Sequence, residues 1–269
     1  MDAEYFYEQG LTAAVRGKVD EAVENFEKAI QLDSSMAPAY HQLGKVCLKN
    51  GRIQEAVTHL RQALDRRPQQ AAIHVDLGFA YLGARDLDQA QDAFLSGLAI
   101  EQNNVRALNG LSTIFFFLEH WERLRAHADA VLKLSPDSFA ALFFRGCAAF
   151  QLGDFATGEK MFDRAAAVLD ELLAMQPQSV EAVYLQGEIK WYRGAYGSAR
   201  ERYMEAQKLA DPTQTYWAYG IPFTGLDVMV KVGMCYKHLS NAERAAEVAD
   251  QIRAVEPDHP AIAELTAPE

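Results

Sequence analysis

Residues 37–70 read APAYHQLGKVCLKNGRIQEAVTHLRQALDRRPQQ, and this stretch contains two helical patterns joined by a short polar turn. The first pattern has four residues at the i, i+3, i+4, i+7 spacing of one helix face: Tyr40, Leu43, Gly44 and Cys47. The second pattern starts at Ile53 and has three on one stripe: Ala56, Leu60 and Ala63. The stretch therefore predicts a pair of helices packed as a hairpin.

The same pattern recurs with a period of 34 residues. A small residue stands at one register of each unit, with insertions before the last two: Gly10, Gly44, Gly78, Ser112, Gly146, Gly187 and Gly233. A second column runs twelve residues behind it: Ala22, Ala56, Ala90, Leu124, Gly158, Ala199 and Ala245. A fixed period of this length is typical of repeat proteins, whose units bury their apolar faces against their neighbours.

Small residues at fixed points indicate that the two helices of each pair approach closely. Where Gly44 faces Ala56, the axes can come nearer than the usual range of about 8–10 Å. A bulky side chain at this register should clash, so we expect Gly78→Leu to destabilise the fold.

These columns resemble the tetratricopeptide repeat, whose 34-residue unit has Leu-Gly, Tyr, Ala, Phe, Ala and Pro at set positions. The resemblance covers nearly the whole chain and implies an all-α, right-handed solenoid of about seven helix-turn-helix hairpins. The predicted units are 3–36, 37–70, 71–104, 105–138, 139–179, 180–213 and 226–259, with an aromatic insert at 214–225 and a terminal cap at 260–269.

Two units depart from the pattern. Unit four has Ser112, Leu124 and Ala128 where the pattern has Gly, Ala and a large aromatic, so its hairpin is expected to open or rotate. Unit five has seven extra residues within the helix-forming stretch 166–175. Seven residues make almost two full turns, so the second helix of this unit is predicted to extend without losing its apolar face.

The insert at 214–225 is rich in aromatic residues, with Tyr216, Trp217, Tyr219 and Phe223 among several glycines and a proline. One interpretation is that these rings fill the gap between two displaced hairpins. The other is that the insert is a loop that contacts a partner or closes over one. The sequence leaves both interpretations open.

In similar repeat proteins a partner contacts positions 2, 5, 9, 12 and 13 of each first helix, which line the concave face. In units four to six, seven of these fifteen positions are aromatic, whereas the whole chain is 10% aromatic. The resulting partner-binding residues are Phe79, Phe116, Phe117, Phe143, Phe150, Tyr184, Glu188, Trp191, Tyr192 and Met234. The alternative is that such rings lean into the next hairpin as ordinary core. If accessible, they suit an amphipathic helix or an extended apolar segment.

Composition argues against several other functions. The net charge of −11 disfavours nucleic acid, because phosphate binding needs clustered Lys and Arg. No signal peptide, membrane-spanning run or direct membrane insertion is predicted, which points to the cytoplasm. The three cysteines are too far apart in sequence for a zinc or redox motif, and the seven histidines include no His-Glu-x-x-His. We therefore predict no enzyme activity, no cofactor and no metal, although His41 and His74 could approach each other.

The function predicted from these observations is a protein-binding scaffold or adaptor. Some similar proteins bind a C-terminal carboxylate with Lys, Asn and Arg, but here only His41, Lys45 and Arg106 are partial matches, so that mode is not expected. Two alternatives remain, namely a self-assembling homo-oligomer and a regulatory module that acts with a separate enzyme.

Overall fold

The computed structural model describes residues 1–267, and 76% of the chain is helical. Seven helical pairs follow one another, and a strand pair lies between the sixth and the seventh. The elements are α1 Ala3–Val15, α2 Val19–Leu32, α3 Ala37–Lys49, α4 Ile53–Arg66, α5 Ala71–Gly83, α6 Leu87–Ile100, α7 Val105–Phe117, α8 Trp121–Leu134, α9 Phe139–Gln151, α10 Phe155–Met175, α11 Val180–Tyr192, α12 Tyr196–Leu209, β1 Tyr216–Ala218, β2 Ile221–Phe223, α13 Gly225–His238, α14 Ala242–Val255 and α15 Ala261–Thr266. The all-α class expected from the sequence is confirmed.

The chain forms two compact units. The first consists of Met1–Ser135 together with Tyr219–Ile221. The second consists of Pro136–Ala218 and the described residues from Pro222 onwards. The tip of the strand pair thus belongs to the first unit, and the rest of the strand pair to the second.

In the first unit, the glycine column faces large apolar side chains of the second helices. A Cβ atom added at Gly44 would lie 2.7 Å from Leu60, and one added at Gly78 would lie 2.6 Å from the Phe94 ring. Gly110 of α7 approaches the same ring, where an added Cβ would lie 2.2 Å away. Phe94 is completely buried in a slot between these two glycines, so a side chain at either Gly78 or Gly110 would collide with its ring.

The same contact recurs in the second unit. A Cβ added at Gly146 would lie 2.6 Å from Phe162, and one at Gly187 would lie 2.6 Å from Tyr203. At the last pair, Gly233 of α13 instead faces Leu265 of the terminal helix α15, at 2.7 Å. Val248 of α14 lies farther from this added Cβ, at 3.1 Å, so α15 supplies the nearest side chain where the other pairs use their own second helix.

The two irregular units differ from the others in the ways that their sequences allow. Ser112 occupies the glycine position of α7, is fully buried, and donates its hydroxyl to the Leu108 carbonyl at 2.9 Å. Ala128 of α8 is also fully buried, and α7 and α8 remain a packed pair. Helix α10 has 21 residues, whereas the other second helices have 14, which confirms the predicted extension.

The turns within the helical pairs share one backbone feature. The residue at one register of every turn has a positive φ: Gly17, Gly51, Arg85, Glu119, Gly153, Gly194 and Ser240. An L-residue in this left-handed region costs about 1–2 kcal/mol, a strain that glycine avoids. Three turns therefore carry strain that the four glycine turns lack.

We expect Glu119→Gly to stabilise the first unit, because Glu119 has φ 55° and is exposed. The gain should be about 0.5–1 kcal/mol, since the greater freedom of glycine in the unfolded chain offsets part of the relieved strain. The reverse change, Gly153→Ala, adds a Cβ that meets nothing within 4 Å at φ 82°, so it isolates the backbone strain. It should destabilise by about 1 kcal/mol in denaturant unfolding. Changes of the opposite sign would refute the strain argument.

The insert at 214–225 forms a β-hairpin, which the sequence analysis did not predict. Tyr219 and Gly220 make its two-residue turn, with φ values of 55° and 81°. Tyr216 and Phe223 are buried, and the Phe223 ring stacks on Tyr184 with centroids 4.3 Å apart. For these two rings the packing interpretation of the insert is correct.

Candidate protein-binding surface

In the first unit, two of the predicted contact residues, Phe116 and Phe117, lie at the C-terminal end of α7. Phe117 is 40% exposed, and its neighbour Leu118 is 43% exposed. Phe116 is half-buried and packs edge-on against Trp121, with centroids 6.2 Å apart. The Arg85 guanidinium lies 5.5 Å from the centre of the Phe117 ring, within the range of a cation–π contact. The result is an apolar patch bordered by a cation.

In the second unit, a comparable group lies at the end of α11. Trp191 and Tyr192 are half-buried, as is Met234 of α13. The Trp191 ring meets Tyr196 and His238 edge-on, with centroids 5.1 and 4.9 Å apart. Lys231 Nζ lies 5.3 Å from the Trp191 centroid. Here too an aromatic surface at a helix end is accompanied by a basic side chain.

Of the two predicted contact residues on α9, Phe143 belongs to the core and Phe150 is partly covered. Phe143 is completely buried, 5.8 Å from the Phe162 ring and 5.4 Å from the Tyr192 ring. Phe150 is half-buried and leans into its own hairpin, where a Cβ at Gly158 would come within 2.2 Å of it. The small residue at 158 thus makes room for Phe150, and the core alternative is correct for Phe143.

Tyr184 and Glu188 of α11 were also predicted to contact a partner, but both side chains are buried. Tyr184 is 7% exposed because Phe223 of the hairpin covers its ring. Glu188 is 5% exposed and accepts a hydrogen bond from Tyr203 Oη at 2.5 Å. It also forms an ion pair with Lys231 at 2.8 Å. A carboxylate satisfied twice inside the unit has no role as a polar rim for a partner.

A buried ion-pair network on the first helices of the first unit bears on the carboxylate-binding mode. Asp76 is 2% exposed, its Oδ2 lies 2.7 Å from His41 Nε2, and its Oδ1 accepts from Arg106 at 2.6 Å. The protein's own carboxylate therefore occupies the two basic side chains, His41 and Arg106, that could have held a peptide C-terminus. His74 bonds the Pro68 carbonyl at 2.8 Å, whereas His41 bonds Asp76, so the two histidines have different partners.

Although burial alone would raise the pKa of Asp76, the hydrogen bond from His41 and the charge of Arg106 lower it below its ordinary value. A carboxylate with a lowered pKa stabilises the fold above its unfolded pKa of about 4, and this contribution is lost as pH falls. Asp76→Asn should therefore cost about 1–3 kcal/mol at pH 7, and the difference from wild type should shrink below about pH 4.

The measurement is urea unfolding of both proteins across this pH range, with the exposed Asp92→Asn as control. A difference that stays constant with pH would mean that the Asp76 charge does not contribute.

The remaining chemistry of the described residues is sparse. Cys47, Cys147 and Cys235 are all buried, and burial raises the pKa of Cys47 to about 11 and that of Cys235 to about 12. Such thiols are poor nucleophiles near neutral pH. Within residues 1–267, no group of three or more His, Cys, Asp or Glu side chains is arranged to hold a metal ion. No described helix is long and apolar enough to cross a membrane.

The signal that sequence reasoning missed lies in the insert. Two three-residue runs of apolar and aromatic residues, 216–218 and 221–223, flank the two residues Tyr219-Gly220, a spacing that is typical of a short hairpin. The hairpin explains why Tyr184 is covered, and its tip contacts Phe79 and Thr113 on the first helices of the first unit. Thr113 was not among the predicted residues.

Comparison with known families matches three repeat models to the chain. Models described as tetratricopeptide repeats match residues 48–113 and 158–212, and one described as a TPR repeat matches residues 14–51. Together these matches cover more than half of the chain and include parts of both compact units.

Curated relatives and solved structures give the same result. The STIP1 homolog of Dictyostelium discoideum is 24% identical over 163 residues, covering 58% of this chain and 28% of that protein. The Hsp70-Hsp90 organising protein of Plasmodium falciparum is 28% identical over 137 residues, covering 50% of this chain and 54% of that protein. The chain thus spans from about a quarter to about half of these relatives.

Among solved structures, a tetratricopeptide repeat protein from Parabacteroides merdae aligns with a TM-score of 0.66 at 16% identity, over 98% of this chain and 97% of that chain. At this identity the likeness concerns the fold alone.

Proposed function

Because the chain belongs to the tetratricopeptide repeat superfamily, we propose that it is a non-catalytic scaffold that binds another protein through the aromatic ends of its first helices. The observation that supports this most directly is the exposed pair Phe117 and Leu118 beside half-buried Phe116. Contiguous apolar side chains on a protein surface usually mark an interaction site. The relative named for organising Hsp70 and Hsp90 is consistent with a protein-binding role.

The proposed contact surface is narrower than the one predicted from the sequence. It comprises Phe116 and Phe117 in the first unit, and Trp191, Tyr192 and Met234 in the second. Burying one such ring contributes on the order of 1.5–3 kcal/mol, and a few anchors usually dominate an interface. Micromolar affinity needs about 8 kcal/mol, so a small set of rings is sufficient.

The chemistry of these patches favours an amphipathic helix or an extended apolar segment as the partner. The patch in the first unit pairs aromatic rings with the basic side chain of Arg85, whereas Lys231 beside the second patch is already paired with Glu188. A partner segment with apolar anchors and a carboxylate near Arg85 would satisfy both features of the first patch. A free C-terminal carboxylate held by several cations is disfavoured, because Asp76 already occupies His41 and Arg106. We place this activity in the cytoplasm.

Display selection with two peptide libraries, one of stabilised amphipathic helices and one of extended segments, tests this proposal. Wild type should enrich apolar sequences with an acidic flank, and Phe117→Ala or Trp191→Ala should each weaken the selected peptides at least tenfold. Leu95→Ala and Met204→Ala remove exposed side chains of second helices and serve as matched controls. Equal enrichment on all five proteins would refute the proposed surface.

Self-assembly is the second candidate, supported by the extended end of α10. Its last residue, Met175, is 75% exposed, so the added turns present apolar surface to solvent. In light scattering, a homo-oligomer would show a mass that rises with concentration and falls on truncating Met175 to Ala. A constant monomer mass would refute self-assembly, and binding of a different protein would remain as the proposed function.

A further inference from the structure

The tip of the β-hairpin rests on the first helices of the first unit. Thr113 of α7 donates its hydroxyl to the Tyr219 carbonyl at 2.8 Å. Gly220 lies directly over the Phe79 ring of α5, where a Cβ would be 2.7 Å from two ring atoms. Phe79 and Thr113 both occupy position 9 of their helices, on the stripe that the family resemblance assigns to partners. A segment of the chain itself therefore covers this part of the stripe.

The Phe79 ring is fixed in place beneath the tip. It packs edge-on against the buried Phe94, with centroids 5.0 Å apart, and the Arg106 guanidinium lies 5.2 Å from its centre. Arg106 is in turn held by the buried Asp76 carboxylate. The ring and the Thr113 hydroxyl thus form a preorganised platform, which reduces the entropic cost of binding a segment there.

The conformation of the tip is not one that its own sequence favours. Tyr219 has φ 55°, a left-handed conformation that is rare for a bulky aromatic residue. Two-residue hairpin turns with positive φ at both residues strongly prefer Asn-Gly or Asp-Gly. A strained turn persists when the surrounding structure holds it, and here the contacts with Phe79 and Thr113 supply that support.

The contact also selects the residue type at its centre. Any side chain at position 220 would collide with the Phe79 ring, and the φ of 81° independently favours glycine. The platform therefore fits a two-residue turn with glycine at its second position. The carbonyl of the residue before this glycine accepts a hydrogen bond from the hydroxyl. These requirements define a ligand class, a glycine-containing β-turn.

We propose that Phe79 and Thr113 form a binding site for a glycine-containing β-turn of a partner protein, and that the hairpin tip Tyr219–Ile221 is an internal occupant that such a turn must displace. This inference rests on the proposed function, since it names the segment recognised at one part of the same stripe. A tethered occupant acts at an effective concentration in the millimolar range, so it lowers the apparent affinity of any external turn.

The test uses the full-length chain and a fluorescent synthetic peptide of residues 214–225 as the external turn. In the Gly220→Ala chain the added Cβ should dislodge the tip, whereas Gly197→Ala, whose Cβ meets nothing within 4 Å, is the matched control. We expect hydrogen exchange at the tip amides to rise at least tenfold in Gly220→Ala alone. Its affinity for the added peptide should also rise at least tenfold over wild type and control.

Two further arms locate the binding site. A peptide carrying the Gly220→Ala change should not bind to any of the chains. Adding Thr113→Val to the Gly220→Ala chain should reduce binding of the native peptide, because the hydroxyl donor is lost.

Release of the tip without a gain in peptide binding would overturn the proposal, and so would unchanged exchange at the tip. If circular dichroism shows that Gly220→Ala does not fold, hydrogen exchange at the tip amides of the Thr113→Val chain is measured instead. Exchange that does not increase in this variant would refute the site. The peptide assay uses only a segment of this chain. Its failure would therefore refute the turn-binding site and would not refute binding through the aromatic helix ends, which display selection tests.

Discussion

Replacing Phe94 by alanine is expected to lower the free energy of unfolding of the first unit by about 3–5 kcal/mol, the usual cost of removing a fully buried aromatic side chain. Phe94 is completely buried between Gly78 and Gly110, and glycines have no side chains that could move into the space left behind. The cavity should therefore stay open, and the cost should lie at the upper end of the range.

Hydrogen exchange of peptides from α5, α6 and α7 reports this loss locally, which matters because repeat proteins need not unfold in one step. The neighbouring Leu95, 47% exposed on the same helix, provides the control. Leu95→Ala should change stability by no more than about 0.5 kcal/mol. Similar losses for both variants would mean that the glycine slot does not hold the helices together.

Gly78→Leu is expected to destabilise the same unit by about 1–3 kcal/mol or more, through overpacking rather than a cavity. The first added carbon would lie 2.6 Å from the Phe94 ring, so either α5 or the ring must shift. The ring has little freedom to do so, because Gly110 approaches it from α7. Thermal unfolding should show a clear fall in melting temperature.

Gly197→Leu is the matched control for this prediction, because its added Cβ meets nothing within 4 Å on α12. It should be neutral or stabilising, since leucine favours a helix over glycine by up to about 1 kcal/mol. Combining Gly78→Leu with Phe94→Ala should cost less than the sum of the single changes, because the two residues contact each other. Additive losses would contradict that contact.

The helical pairs could be predicted from the sequence because close packing of the two helices requires a small residue at the same position of nearly every 34-residue unit. Gly44, Gly78 and Gly146 each face one large side chain across a helix crossing, at a distance where an added Cβ would collide with it. The extension of α10 was likewise predictable, since seven residues preserve the helical phase. These features depend on contacts within a repeat, and a single repeat of sequence contains both partners.

The candidate surface was predicted less well, because repeat position does not reveal what covers a helix face. Phe143 and Tyr184 share one position of their helices, and both are buried by long-range contacts. The ring that covers Tyr184 is Phe223, 39 positions away in sequence, in an element that follows no repeat. The aromatic residues of the proposed surface lie at helix ends, where Phe117 and Tyr192 terminate α7 and α11.

The measurement that tests the central claim most directly is quantitative capture of proteins from a lysate of the source cells. The baits are wild type, a Phe117→Ala/Trp191→Ala variant, and a Leu95→Ala/Met204→Ala control, each confirmed as folded by circular dichroism. We predict a partner that wild type and the control retain equally and that the first variant loses. A partner retained equally by all three would contradict binding through the aromatic ends of the first helices.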